Sequence, residues 1–249
     1  HSMSCDYERS GLLILARNPR EANALEQEKR ACEEAGLGAI LLDGAQAAAM
    51  FGAFKAEAAL SHWAQGMLNP AKFARGLKQA IESLGVEVFE NSRCISLEPA
   101  RRILVSTSAG RIAADAVVMA TNAYPDPLGL FRHKVMPFYV YNIATEPLAP
   151  DQLERFEWPG RNIVFNTKHI FWVLRLTADN RLVFIYNDAR YFLDTGADHS
   201  HCPSDYLSHY RLLLELFPFL KGIKLSHAWG GRIGMTLDFL PALGRAGKH

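Results

Sequence analysis

The stretch DAVVMATNAYPDP, residues 115–127, decides how this chain is read. Four apolar residues, Ala116, Val117, Val118 and Met119, run into Ala120-Thr121-Asn122-Ala123, and an aromatic residue and two prolines follow. A short apolar run bounded by turn residues predicts a buried strand. It ends on side chains too small to fill space, so something else is expected to lie against that end.

Upstream, the pattern is helix, strand and hairpin. Asn69 suits an N-cap and Pro70 a first helical position; Phe73, Leu77, Ile81 and Leu84 recur at helical spacing, and Gly85 closes the segment. VEVFE (86–90) alternates as a strand. RILVSTS (102–108), a turn at Ala109-Gly110 and RIAADAVVMAT (111–121) make a hairpin that ends in the buried strand. Nearer the start, residues 10–19 read as a strand, 20–36 as a helix stopped by Gly36, 39–43 as a short strand, and the Ala-rich 45–60 as partly helical.

From Val135 the period changes. Residues 135–148, 162–167, 170–177 and 181–188 read as successive antiparallel strands, with a hairpin turn in TADNR. A helix is predicted over 204–216, ended by FPFL, and a strand over 223–231. The fold class is α/β (α+β): α/β in the middle, and antiparallel β with helices on either side.

Composition narrows the function classes. The chain has 249 residues, 49% hydrophobic and 21% charged, which predicts a packed core in one large or two small domains. A net charge of +1 without a Lys/Arg-rich face argues against nucleic acid. No apolar run reaches the roughly 20 residues of a membrane span. The four cysteines are scattered like reduced thiols, and the opening residues are polar, so a cytoplasmic location is expected.

The ordered segments GMLNPAKFARGL (66–77), GVEVFENSRCISLE (85–98), GRIAADAVVMATNAY (110–124), ATEPL (144–148), FWVLRLTADNRLVF (171–184) and WGGRIGMTLDFLPALGR (229–245) resemble the FAD-dependent D-amino-acid oxidase superfamily. The branch they resemble groups glycine, sarcosine and γ-glutamylputrescine oxidases. The resemblance implies a partial FAD-binding Rossmann-like domain with an antiparallel β-sheet substrate domain. It divides the chain into substrate-domain elements (4–60), partial FAD domain (61–130), antiparallel substrate domain (131–228) and a return to the FAD domain (229–249). It also answers the opening question. The small residues Ala120, Thr121 and Asn122 would lie near the flavin nucleotide, Cys94 and Ile95 near the adenine, and Gly244 in the glycine-bearing terminal segment.

The same resemblance exposes a gap. A Gly-x-Gly-x-x-Gly turn between strand and helix, which sets backbone N–H groups on a pyrophosphate, is absent. The chain therefore reads as a family member truncated at both ends. Losing three charge-assisted hydrogen bonds would weaken FAD binding by about 10³ or more. Sheet edges left open would invite self-association.

Arg232 is the first candidate for chemistry, since the resemblance gives its motif an arginine that pairs with a substrate carboxylate; a planar guanidinium suits that contact. A structural ion pair with Asp238 is the alternative. Arg175 is a second candidate, on a strand that would face the substrate cavity, although alternation also fits an exposed residue opposite Trp172, Leu174 and Leu176. Tyr139 and Tyr141 are expected to line the same cavity or to serve as aromatic core. DHSHC (198–202) has metal-binding residue types but no second ligand pair, so no metal site is expected. The implied activity is FAD-dependent oxidation of an amine or amino acid, with a hydride passing from a C–N carbon to the flavin. A non-catalytic remnant that binds a ligand or partner is the alternative.

Overall fold

A computed structural model describes residues 3–124, 134–167, 171–192, 198–241 and 243–245, apart from the Asn187 side chain. The two prolines of the opening stretch and Ile170 lie outside these residues. The fold is mixed α/β, with one eight-stranded mixed sheet and one three-stranded antiparallel sheet.

The first strand, β1 (Leu12–Ala16), leads into α1 (Pro19–Glu34). Asn18 caps this helix by accepting from Glu21 N at 3.0 Å, and Pro19 takes the first helical position, where no N–H is needed. After β2 (Ile40–Asp43), Asp43 and Gln46 close a reciprocal capping box on α2 (Gly44–Met50). The helical expectation for 45–60 stops there, because β3 (Ala58–His62) inserts antiparallel between β1 and β2. Nothing in Ala58-Ala59-Leu60 favours a strand by propensity. Two paired neighbours supply its hydrogen bonds, and this tertiary context overrides composition.

The helix α3 (Pro70–Ser83) starts as expected, with Asn69 Oδ1 accepting from Ala71 N and Lys72 N, both at 3.1 Å. Gly85 follows it at φ 86, a left-handed conformation that costs glycine little. Strands β4 (Cys94–Glu98), β5 (Ile103–Thr107) and β6 (Arg111–Ala114) form the small sheet.

Two expectations fail beside it. Residues 86–90 are not a strand, and 116–119 continue past β6 without pairing. Val86, Val88 and Phe89 are exposed, and Val118 is 89% exposed. An apolar run becomes a buried strand only where a neighbour bonds its backbone and another layer covers its face; among the described residues neither segment has such a neighbour. The α3 helix likewise buries no residue. Val118→Ser should therefore shift the unfolding free energy by less than about 0.5 kcal/mol. A loss of about 1.5–3 kcal/mol in a denaturant titration would instead restore the buried strand.

The second half builds most of the large sheet. It contains β7 (Val135–Pro147), α4 (Pro150–Phe156), β8 (Ile163–Asn166), β9 (Trp172–Leu176), β10 (Arg181–Tyr191), α5 (Pro203–Leu216) and β11 (Leu225–Thr236). The order across the sheet is β11-β7-β10-β9-β8-β1-β3-β2, antiparallel throughout except where β8 meets β1. The expected antiparallel run is thus present. The α4 helix was not legible beforehand; its N-terminal signal is Pro150 at the first helical position, with Gln152 Oε1 accepting from Ala149 N at 2.9 Å.

The faces of this sheet differ. Leu13, Val164, Leu174, Phe184 and Ile143 are in register from strand to strand and share one side. That side packs against α2, α4 and α5 in the main core, where Phe51, Phe156, Trp158, Phe217 and Phe219 form an aromatic knot. On the opposite side, Ala16, Ala58 and Leu60 bury Leu25 of α1. Leu25 is the only buried residue of α1, and α3 has none. Among the described residues, therefore, no helix buries a side chain on that second side over β9, β10, β7 and β11.

Candidate functional site

The side of β9, β10, β7 and β11 on which no described helix buries a side chain is the candidate site, although Val173, Val183 and Ala144 on it are buried. Register fixes what it carries. Val173 of β9 pairs with Ile185 of β10, Ile185 with Asn142 of β7, and Asn142 with Trp229 of β11. One row along, Arg175 pairs with Val183. Directly paired residues project to the same side of a sheet, so Arg175, Asn142 and Trp229 share this face.

Arg175 is half-buried in an apolar setting. Among the described residues its guanidinium has no hydrogen-bond or ion-pair partner, and burial pushes its pKa down from the ordinary arginine value. A guanidinium that has lost water without gaining an acceptor can bind an oxyanion bidentately. As expected for an alternating strand, Trp172, Leu174 and Leu176 point to the other side, into the core.

Arg232, Tyr139 and Tyr141 lie on the helix-covered side, across the sheet from Arg175. Arg232 pairs in register with Tyr139, and Gly230 with Tyr141. The two tyrosines therefore do not line a cavity with Arg175. Arg232 Nε donates to the Tyr139 hydroxyl, and the Arg232 guanidinium lies 5.2 Å from the Tyr139 ring centre. Its alternative partner, Asp238, instead accepts from Leu240 N at 3.1 Å. The tyrosines hold the loop that the sequence marked as DHSHC. Tyr141 donates to His199 O at 2.7 Å, Tyr206 donates to Ser200 O at 2.9 Å, and Tyr139 accepts from His199 N at 3.2 Å. Burial pushes the Tyr141 hydroxyl up to about 12, so it stays a donor. The His199 ring stacks on Phe192 at 3.9 Å. Gly230 is required here, because a Cβ would lie 2.7 Å from Ser200 O and collide with the Tyr141 ring.

Behind this loop, α5 buries Asp205 and His209. Arg190 meets the Asp205 carboxylate at 2.5 Å, and Asp188 lies 3.9 Å from Arg190. Burial lowers the His209 pKa; Asp188 and Asp205 oppose the shift and Arg190 adds to it. The folded ring is therefore held neutral, whereas the unfolded chain takes up a proton below about pH 6.5. Stability should fall as pH drops through that value towards the folded pKa, because the unfolded state binds more protons there. His209→Gln should shrink the difference between denaturant midpoints measured on either side of that pH.

The nucleotide candidates are arranged as follows. Cys94 and Ile95 open the edge strand β4, with Ile95 exposed. Ala120 and Thr121 are exposed and small. Asn122, at φ 52, pins their end to β11 by accepting from Gly234 N at 3.1 Å and donating to Arg232 O at 3.5 Å. A Cβ on Gly244 would meet nothing within 4 Å. The pyrophosphate is not fitted, since the 249 residues contain no glycine turn to cradle it.

A half-buried guanidinium without an acceptor on one face of a mixed sheet has the chemistry to hold an anionic group. The family model described as FAD dependent oxidoreductase matches residues 1–249, and the chain belongs to that family. It is 30% identical over 257 residues to the probable oxidoreductase OrdL of Haemophilus influenzae, covering 100% of this chain and 57% of that protein. It is 29% identical to the gamma-glutamylputrescine oxidoreductase of Escherichia coli, covering 98% of this chain and 56% of that protein. The chain thus spans a little over half the length of these curated relatives. Its fold matches glycine oxidase from Geobacillus kaustophilus with a TM-score of 0.82 at 20% identity, over 98% of this chain and 64% of that one. L-Proline dehydrogenase from P. horikoshii gives 0.83 at 17% identity, over 98% and 65%. No helix among the described residues is long and apolar enough to cross a membrane.

Proposed function

We propose that this chain carries the substrate-binding half of an FAD-dependent amine oxidoreductase, and that its substrate is an amine bearing a carboxylate. The observation that carries this reading is the half-buried guanidinium of Arg175, which has no partner among the described residues, on the side of the sheet that no described helix covers. Family membership supports the oxidation of an amine. The names of relatives acting on glycine, proline and gamma-glutamylputrescine support a substrate with amino-acid character. Arg175 pairs with the carboxylate, and the surrounding apolar face excludes water and strengthens that pair. FAD, when bound, supplies the acceptor for the hydride of the C–N carbon.

On this reading Arg232, Tyr139 and Tyr141 hold the 198–202 loop against the sheet. Arg232 keeps a substrate role only if a ligand reaches the helix-covered side. Cys94, Ile95, Ala120, Thr121, Asn122 and Gly244 remain the nucleotide candidates, and residues 4–60 belong with 131–228 as one substrate unit.

The test is calorimetric titration with sarcosine and with dimethylamine, the same amine without its carboxylate. Sarcosine is expected to bind more tightly, and Arg175→Met to abolish the difference while Arg232→Met preserves it. If Arg232→Met removes the preference and Arg175→Met does not, the assignment of the carboxylate to Arg175 is wrong. Flavin absorption of the purified chain, before and after adding FAD, tests separately whether this half holds the cofactor.

A further inference from the structure

The eight-stranded sheet ends in two edge strands, β11 and β2. The outer edge of β11 is held by Asn122, which bonds Gly234 N and Arg232 O. The outer edge of β2 has no backbone partner among the described residues. Beside it runs a belt of exposed apolar side chains: Tyr7 is 60% exposed, Leu37 61%, Ile40 53% and Trp63 55%. Contacts join them into one surface. Ile40 pairs in register with Ser61, and two residues along from that pair Gly38 meets Trp63. A Cβ on Gly38 would lie 2.6 Å from Trp63 Nε1, so the indole rests on bare backbone. Arg9 lies over the same indole at 5.5 Å. Two residues before Arg9, Tyr7 is seated in the same way, since a Cβ on Gly66 would lie 2.9 Å from its ring. Two glycines therefore fix the two aromatic rings in place.

Trp, Tyr and Arg are the side chains that most often anchor protein interfaces, and a ring already held in place loses little freedom on binding. At ordinary side-chain areas the exposed parts of these four apolar residues come to about 400 Å², the size of the largest apolar patch on a typical monomer and about half of what one partner buries in a stable complex. The unpaired strand supplies the rest. Charge decides what pairs with it. Asp43, at the end of β2, is the one charged residue of that strand. Its Oδ1 caps α2, which leaves Oδ2 for a cation. Arg9 stands at the opposite end, by Gly38 and Trp63, while its neighbour Glu8 is paired with Arg161. Neither Arg9 nor Asp43 has an ion-pair partner among the described residues. We infer that this face is an interface with a second copy of this chain, in which the two β2 strands add edge to edge, antiparallel, about a two-fold axis. That arrangement sets the Asp43 end of each strand at the Arg9 end of the other, so opposite charges meet on both sides of the axis, and Ile40 and Trp63 of both copies cover the junction. Parallel addition would instead set Arg9 by Arg9 and Asp43 by Asp43. The two-fold closes the assembly at two copies and removes the open edge.

The experiment is sedimentation equilibrium of the chain over a range of concentrations, with circular dichroism to check the fold of each variant. A monomer–dimer equilibrium is expected. Ile40→Asp, at a position that is already exposed, sets a carboxylate against Asp43 of the other copy. It should weaken the dimer by about thirtyfold to a thousandfold, and Trp63→Ala should do the same, because each residue counts twice in a two-fold interface. Arg9→Glu should also weaken the dimer, and its effect should fade as salt is added. Ile112→Asp, the same change on the edge strand β6 of the small sheet, should leave the dimer unchanged. A chain that is monomeric at every concentration, or that grows beyond the dimer, overturns the inference. So does a dimer broken by Ile112→Asp and spared by Ile40→Asp, which would place the contact on the small sheet. If Ile40→Asp or Trp63→Ala alters the circular dichroism, Arg9→Glu decides: a dimer it leaves intact at low salt is not held by this face.

Discussion

Replacing Arg175 with methionine is expected to weaken binding of carboxylated amines by about 30-fold to several-thousand-fold, and to leave amines without a carboxylate nearly unaffected. The range corresponds to the roughly 2–5 kcal/mol lost when one partner of a desolvated, hydrogen-bonded charge pair is removed. Methionine retains an apolar stem against Val183, so the fold should persist and the loss should appear as affinity. Lysine is the informative companion. It keeps the charge but not the planar fork, and should recover only part of the loss. Because Arg175 has no described partner to orphan, Arg175→Met should also leave the denaturant midpoint within error of the parent chain, or raise it. A large loss of stability with equal loss of binding for both ligand types would mean that Arg175 supports the sheet.

Phe156→Ala should have the largest effect on folding, about 3–5 kcal/mol. Phe156 is fully buried where α4 meets the turn at Pro218–Leu220, and its ring contacts those of Phe51, Trp158, Phe217 and Phe219. Removing it leaves a cavity whose walls come from three separate segments, so little of it can collapse. That cost is a large part of the roughly 5–15 kcal/mol that keeps a domain folded. The measurement is a denaturant titration followed by tryptophan fluorescence, where Trp158 reports on the same cluster. A loss under about 1 kcal/mol would show that the knot does not hold α4 and the 218–220 turn to the sheet.

Much was legible wherever the signal was local. Asn69-Pro70 starts a helix because a side-chain acceptor and a missing N–H answer the needs of any helix N-terminus. The alternation in 172–176 placed Trp172, Leu174 and Leu176 on one face and Arg175 on the other, because side-chain direction in a strand has period two. The ordered motifs were enough for the family.

What failed depended on neighbours. Residues 116–119 have the composition of a buried strand but not the pairing, and 58–62 became a strand through pairing that their composition does not suggest. The site was half legible for the same reason. Arg175, Arg232, Tyr139 and Tyr141 all stood out by residue type and motif, but one sequence cannot say which residues share a side of the sheet. That depends on the register between β7, β10, β9 and β11, strands separated along the chain by loops and a helix. The sequence by itself determined the class of the fold, the antiparallel strands of the second half, the family and the two arginines as candidates. Only the tertiary structure decided that the arginines lie on opposite sides, that helices close one side with Arg232 bound to Tyr139, and that no described helix covers the other side around Arg175. The physical reason is that period-two alternation assigns relative faces within a strand, whereas burial and exposure are assigned by whatever packs on the sheet.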